Sequence, residues 1–267
     1  MSNNATNKGT AVVTGASAGI GMVYADRLAK QGYDLLLVAR RTDRLQDLTK
    51  SLSTKYGVTV KFLAEDLTKK SGVDAVVAAI TADPTVTMLV NNAGAATLSG
   101  FNEADISKHE TMNGLNVDAL VRLSYAVLPL FRQRDNGVLV NIGSVLSFHT
   151  IPVSSVYSGT KGYVMNFTRG LQQEVAGTNV KVQLVMPAST ETELWDIAGI
   201  PVANLQKDSV MTADNLVDAA LAGLAQGELI TLPSVEDPTL WEEYDAARIK
   251  LFAATQTGKP ASRYNIA

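Results

Sequence analysis

The stretch Thr14-Gly15-Ala16-Ser17-Ala18-Gly19-Ile20-Gly21 decides how this chain is read. It follows Ala11-Val12-Val13, a short apolar run, and it opens an amphipathic segment from Ile20 to Gln31, which makes it a strand-to-helix turn. Glycines at 15, 19 and 21 permit the tight turn and let a pyrophosphate approach the backbone N–H groups at the helix N-terminus, where the macrodipole favours an anion. A lone glycine turn is also consistent with a small-residue connection that binds nothing. Its position on the first βα turn, with three residues and then one between the glycines, favours the binding reading.

Outward from that turn, strand-like runs alternate with amphipathic stretches. Ala11 to Val13, Leu35 to Ala39, Val58 to Leu63, Met88 to Val90, Val138 to Ile142 and Val180 to Val185 are nearly uninterrupted apolar runs, as in strands buried on both faces. Ile20 to Gln31, Arg44 to Tyr56, Val73 to Ala82, Glu110 to Gln133 and Ser158 to Ala176 carry apolar residues at helical spacing. The alternation predicts an α/β fold: a single Rossmann-type, doubly wound parallel sheet of about seven strands with helices on both faces, spanning 10–267. Met1 to Gly9 reads as a flexible polar lead, and 189–210, with weak periodicity, Gly199 and Pro201, as a substrate lid.

The composition narrows the function. Of 267 residues 46% are hydrophobic and 18% charged, ample for a folded core, and 23 basic against 26 acidic residues provide no electrostatic footprint for nucleic acid. No apolar run approaches membrane-spanning length, so no membrane partner is expected. The absence of cysteine removes disulfides, thiolate metal sites and cysteine nucleophiles, and fits a reducing compartment such as the cytoplasm. Two distant histidines, His109 and His149, do not suggest a metal site.

The glycine spacing and the residues that follow it resemble the short-chain dehydrogenase/reductase family over Thr10 to Thr192. Asp66-Leu67 follows the third strand-like run, where the family contacts adenine, and Asn91-Asn92-Ala93-Gly94 follows the fourth, where it shapes the cofactor floor. Asn116, Ser144 and Tyr157-Ser158-Gly159-Thr160-Lys161 then come in family order. The resemblance implies a nicotinamide cofactor held by Gly15, Ser17, Gly19, Ile20, Gly21, Asp66, Leu67, Asn92, Ala93, Gly94, Tyr157, Lys161, Pro187 and Thr192. It implies catalysis by Asn116, Ser144, Tyr157 and Lys161, with no metal. Pro187-Ala188 departs from the Pro-Gly of many members and leaves the local backbone at Thr192 less defined.

The chemistry of the catalytic set can be argued from its residues. Tyr157 and Lys161 are four apart and share a helix face. A tyrosine with an ordinary pKa near 10 is a poor acid or base at neutrality. An ammonium about 5 Å away at an effective dielectric of about 20 would favour the phenolate by roughly 3 kcal/mol, about two pKa units downward. The resemblance assigns proton exchange to Tyr157, and to Asn116 a local interruption of its helix that supports a water leading to Lys161. Ser144 is expected to hydrogen-bond the substrate oxygen. His149, between Ser144 and Tyr157, reads as a rim residue.

Cofactor choice is read after the second strand-like run, where an acidic residue would accept hydrogen bonds from an unphosphorylated ribose. Arg40 and Arg41 stand there instead, and guanidinium groups suit a 2′-phosphate, so NADPH is expected over NADH. Val145, Leu146, Phe148, Val153 and Trp195 are candidate pocket residues for a hydrophobic ketone, aldehyde or secondary alcohol. A 3-oxoacyl-carrier-protein reductase and a non-catalytic nucleotide sensor are the alternatives. The family pairs its subunits through long apolar helices, which predicts a homodimer or homotetramer. Leu120, Leu123, Val127, Val164, Phe167 and Leu171 are candidates for interface or core. The C-terminal stretch with Trp241, Arg248 and Tyr264 is expected to cover the cleft or pack on a neighbouring subunit.

Overall fold

Strands with apolar residues on both faces require cover on both sides, and the chain supplies it by returning every strand through a helix. In the computed structural model, which describes residues 8–200 and 202–266, this produces β1 (Thr10–Thr14), α1 (Gly19–Lys30), β2 (Asp34–Ala39), α2 (Thr42–Tyr56), β3 (Val60–Ala64), α3 (Lys70–Ala82) and β4 (Val86–Asn91). One long helical run follows, α4 (Ile106–Asn113), a π-helical turn at Gly114–Ala119 and α5 (Leu120–Arg134). Then come β5 (Gly137–Ile142), α6 (Ser155–Glu174), β6 (Val180–Val185), β7 (Thr190–Glu191), α7 (Leu194–Ile197), β8 (Met211–Thr212), α8 (Ala213–Gln226) and β9 (Ile230–Thr231).

Seven strands form one parallel sheet in the order β3-β2-β1-β4-β5-β6-β9. The order reverses between β1 and β4, which opens a crevice at their carboxyl ends, the expected ligand position in such sheets. Alternate residues of β1 face opposite layers. Ala11 and Val13 join Tyr24 and Leu28 of α1, Leu45 of α2 and Leu216 of α8, whereas Val12 joins Val76 and Ile80 of α3, Val127 and Phe131 of α5 and Leu171 of α6.

Several expectations change here. Leu120, Leu123, Val127, Val164 and Leu171 are buried, and Phe167 packs against the second core layer, so these residues are core in this chain. The run Ile106–Arg134 is long and apolar enough by length and composition to cross a membrane, contrary to the reading that no run approaches that length. Half of its apolar stretch is buried inside the protein, which accounts for its composition. Pro201 and residues 1–7 of the expected lead lie outside the described residues. The lead does not extend to Gly9, whose carbonyl accepts a hydrogen bond from Asp34 N at 3.0 Å. The expected lid contains short elements: β7 pairs with β8, and α7 lies between them.

A single body over 10–267 was expected, and the contacts divide the chain into two compact units, one ending at Pro233 and one beginning at Ser234. The second contains α9 (Thr239–Ala254), opened by Asp237 Oδ1 accepting from Thr239 N at 3.0 Å, and none of the helix's residues is buried. Trp241, Arg248 and Tyr264 belong to this unit.

Candidate active site

The crevice is built first from the glycine turn. Gly15 and Gly19 adopt φ of 67° and 53°, left-handed values that disfavour a side chain. A Cβ on Gly21 would meet Asn92 Nδ2 at 2.5 Å, so this glycine permits close helix-to-strand packing. Helix α1 starts without a side-chain cap and without an acidic residue in its first turn, leaving its N-terminal amides available to an anion. Thr14, which the sequence reading left unassigned, ties this turn to the loop after β4. Its Oγ1 donates to Val90 O at 3.2 Å and accepts from the backbone N–H of Asn92 and Ala93, both at 3.0 Å.

One cavity of about 430 Å³ brings the predicted residues together. Gly15, Ser17, Gly19, Ile20, Arg40, Arg41, Asp66, Leu67, Asn92, Ala93, Gly94, Ser144, Tyr157, Lys161, Pro187 and Thr192 all line it. Gly21 and Asn116 stand behind its wall. Among the pocket candidates Val145, Leu146 and Trp195 line the cavity, while Phe148 and Val153 do not, and Ala96, Leu98, Leu115, Ile151 and Ile197 extend its apolar part. His149 is exposed.

Asp66 sits at the end assigned to adenine. Burial alone would raise its carboxyl pKa, but hydrogen bonds from Thr68 N at 3.0 Å and Thr68 Oγ1 at 2.8 Å hold it below the ordinary range. Arg40 is exposed and adds a favourable charge to Asp66. Arg41 turns back over the glycine loop, donating from Nε and Nη2 to Ser17 Oγ at 3.2 and 3.1 Å.

At the other end, Ser144 follows β5 and opens a 3₁₀ turn at Val145–Ser147. Its Oγ accepts from Leu146 N at 3.1 Å, which fixes the hydroxyl oxygen, and the hydroxyl also hydrogen-bonds Tyr157. Val145 N donates to Pro187 O at 2.9 Å and joins this turn to the segment after β6. Tyr157 and Lys161 project from one face of α6, with Lys161 Nζ 5.7 Å from the Tyr157 ring centroid. Lys161 is buried and donates to Ile142 O at 2.9 Å.

The electrostatics differ from the charge-only expectation. Burial pushes the Tyr157 phenol up to about 12, and a hydrogen bond with Ser144 opposes that rise. Burial also pulls Lys161 down to about 8. An ammonium near the ring favours the phenolate, but removing solvent penalises each charged form and outweighs that attraction. Burial therefore favours the neutral form of both groups, the protonated phenol and the uncharged amine.

Asn116 lies in the π-helical turn, which agrees with the local helix interruption implied by the resemblance. Both amide protons are used: Nδ2 donates to Ala95 O at 2.9 Å and to Thr160 Oγ1 at 3.0 Å, while Oδ1 accepts from Ala95 N at 2.8 Å. Thr160 Oγ1 in turn donates to Tyr157 O at 2.8 Å, so Asn116 braces the α6 turn that carries the tyrosine. A second chain of buried polar groups went unread in the sequence. Asn91 Nδ2 donates to Ser124 Oγ and to Asn141 Oδ1, and Asn141 Nδ2 donates to Thr168 Oγ1, each at 3.0 Å. The signal for it was an asparagine near the end of each of two mostly apolar strands.

Comparison with known proteins agrees with this geometry. Residues 9–198 match the family model described as short chain dehydrogenase. A 7beta-hydroxysteroid dehydrogenase of Clostridium sardiniense is 32% identical over 69% of this chain and 70% of its own length. The very-long-chain 3-oxoacyl-CoA reductase-A of Danio rerio is 32% identical over 70% of this chain and 60% of its own. Among solved structures, a short-chain dehydrogenase from Sphingobium yanoikuyae in complex with NADPH is 41% identical, covers 96% of this chain and 100% of that one, and superposes with a TM-score of 0.92. A bulky-bulky ketone specific alcohol dehydrogenase from Comamonas testosteroni is 34% identical over 97% and 99% of the two chains, with a TM-score of 0.88. The sequence motifs, the sheet order, the crevice and these matches agree, and the chain belongs to the short-chain dehydrogenase family of oxidoreductases.

Proposed function

We propose that this chain is an NADP(H)-dependent reductase of bulky apolar ketones, or the dehydrogenase of the corresponding secondary alcohols. The observation that carries the proposal is the single cleft that joins Arg40 and Arg41 at one end to Ser144, Tyr157 and an apolar wall at the other. The residues fit the cofactor: the glycine turn has an uncapped helix N-terminus for the pyrophosphate, and a guanidinium pair stands where an NAD site would place an acid. The relatives from Sphingobium yanoikuyae and Comamonas testosteroni support NADPH and a bulky ketone.

Bound NADP(H) would supply hydride-transfer chemistry to the substrate's carbonyl or carbinol carbon. Tyr157 gives its hydroxyl proton to the carbonyl oxygen during reduction and recovers one during alcohol oxidation. A phenol held near 12 is already in the form that reduction needs. Ser144, hydrogen-bonded to Tyr157 in this structure, turns its hydroxyl proton to the same oxygen and orients it. Lys161, near 8, takes the role of restoring the proton to Tyr157. Leu98, Leu115, Ile151, Trp195 and Ile197 line the apolar part of the cleft and receive the substrate's apolar groups. Trp195 is fixed by its Nε1 donating to Thr190 O at 2.8 Å.

Tyr157→Phe tests the acid assignment: turnover of a bulky aryl ketone should fall by about 10²-fold or more while NADPH affinity stays within about threefold. A variant that keeps more than about a tenth of the wild-type rate would remove Tyr157 from that role. A second reading, a 3-oxoacyl thioester reductase, is favoured by the Danio rerio relative. Comparing kcat/KM for bulky ketones and 3-oxoacyl thioesters separates the two.

A further inference from the structure

Glu193 follows β7 by two residues, and its carboxylate is held at both oxygens. Oε2 accepts from Arg41 Nη1 at 2.7 Å and Oε1 from Arg44 Nη1 at 2.6 Å. Arg44 lies in the first turn of α2 and Arg41 at its N-cap, so a residue from the segment after β6 reaches across the cleft to the far end of the cofactor site. Arg41 also holds Ser17 through two hydrogen bonds, so one guanidinium bridges the glycine turn and this segment. The neighbouring Thr192 stands directly on that turn: a Cβ on Gly19 would lie 3.0 Å from Thr192 Cγ2. The hydrogen bonds from Arg41 and Arg44 keep the Glu193 carboxyl below its ordinary range, so it stays an anion at neutral pH.

We infer that Glu193 is a resident competitor for the 2′-phosphate, a carboxylate that occupies the arginines the phosphate requires and yields them when NADPH binds. The inference rests on the proposed reading of Arg41 as a 2′-phosphate residue and extends that site to Arg44, which shares Glu193 with it. A phosphate monoester carries a charge of about −1.5 to −2 and three acceptor oxygens, against one charge and two oxygens for the carboxylate, so the phosphate wins the exchange at a cost. NADH brings no anion to this position and leaves the ion pairs in place. Glu193 therefore lowers NADPH affinity selectively and couples the arginines to the segment that borders the substrate pocket through Leu194 and Trp195.

Glu193→Gln keeps the side-chain shape and removes its charge. Direct titration should show NADPH and 2′,5′-ADP, a probe that carries the 2′-phosphate without nicotinamide, binding about three- to tenfold tighter, the range set by two exposed ion pairs. NADH affinity should not change. Unchanged NADPH affinity, weaker NADPH affinity, or an equal shift for both cofactors would each overturn the inference. The paired variant Arg41→Ala/Arg44→Ala keeps the two possible failures apart. If it retains the wild-type preference for NADPH, the assignment of these arginines fails. If it loses that preference while Glu193→Gln has no effect in the wild-type background, only the competition fails.

Discussion

Replacing Lys161 with Met should stabilise the fold at neutral pH even as it disables the site. Lys161 is 7% exposed, and burial lowers its pKa from 10.5 to about 8. The unfolded chain therefore binds the proton more tightly than the folded one, and wild-type stability rises with pH through the window between these values. At about 1.36 kcal/mol per pH unit, the depression costs the folded state about 3 kcal/mol at pH 7. By pH 9.5 most folded molecules carry a neutral amine, and the wild type regains about 2 kcal/mol. The hydrogen bond to Ile142 O offsets part of the cost, but it is lost from Lys161→Met at both pH values and leaves the change between them intact. Urea denaturation of both proteins at pH 7 and pH 9.5 reads this directly, because other titrating groups cancel in the difference. The stability gap should shift by about 2 kcal/mol toward the wild type between the two pH values. A gap that stays constant, or moves the other way, would refute the argument that burial sets the state of this lysine.

Arg40→Asp should weaken NADPH by about ten- to a hundredfold in equilibrium titration and spare NADH, since it replaces an exposed guanidinium with a repelling charge; equal effects on both would contradict the cofactor assignment. Amide hydrogen exchange over 189–200, without ligand, should be faster than in β1 and β4, since this segment is held by a two-residue strand pair and a four-residue helix. Protection equal to the core strands would rule out a lid. Solution scattering at micromolar concentration should give a dimeric or tetrameric mass. Tyr125 and Tyr163, 80% and 46% exposed on α5 and α6, are the side chains such contacts would cover. A monomeric mass would count against subunit pairing.

The six longer strands were readable because Leu35 to Ala39 and most of its counterparts are short runs nearly free of polar residues, a pattern that fits a doubly covered sheet. Ile230–Thr231 was missed: two residues carry no periodicity, and the seventh strand exists only through its pairing with Leu184 and Val185. The site was legible where the chemistry is local, at Tyr157 and Lys161 on one helix face or the glycines of one turn. It was not legible where partners are far apart in sequence, as with Arg41 and Glu193, or Asn116 and Thr160. The phenol's titration was misjudged for a related reason: charge can be counted from residue types, but solvent removed from Tyr157 depends on elements that the sequence does not place.

The pair Asn91 and Asn141 sits side by side near the carboxyl ends of β4 and β5, the last pair between those two strands. Elsewhere on these strands valine and leucine face similar neighbours, and sliding one strand along the other would exchange one apolar contact for another. The amides make such a slide expensive, because a displaced Asn141 would strand polar groups in the interior. They work as a key in a keyway, cut one residue before Asn92 and three before Ser144. Alignment between the loop after β4 and Ser144 is thus fixed inside the sheet, by two side chains that do not line the cleft.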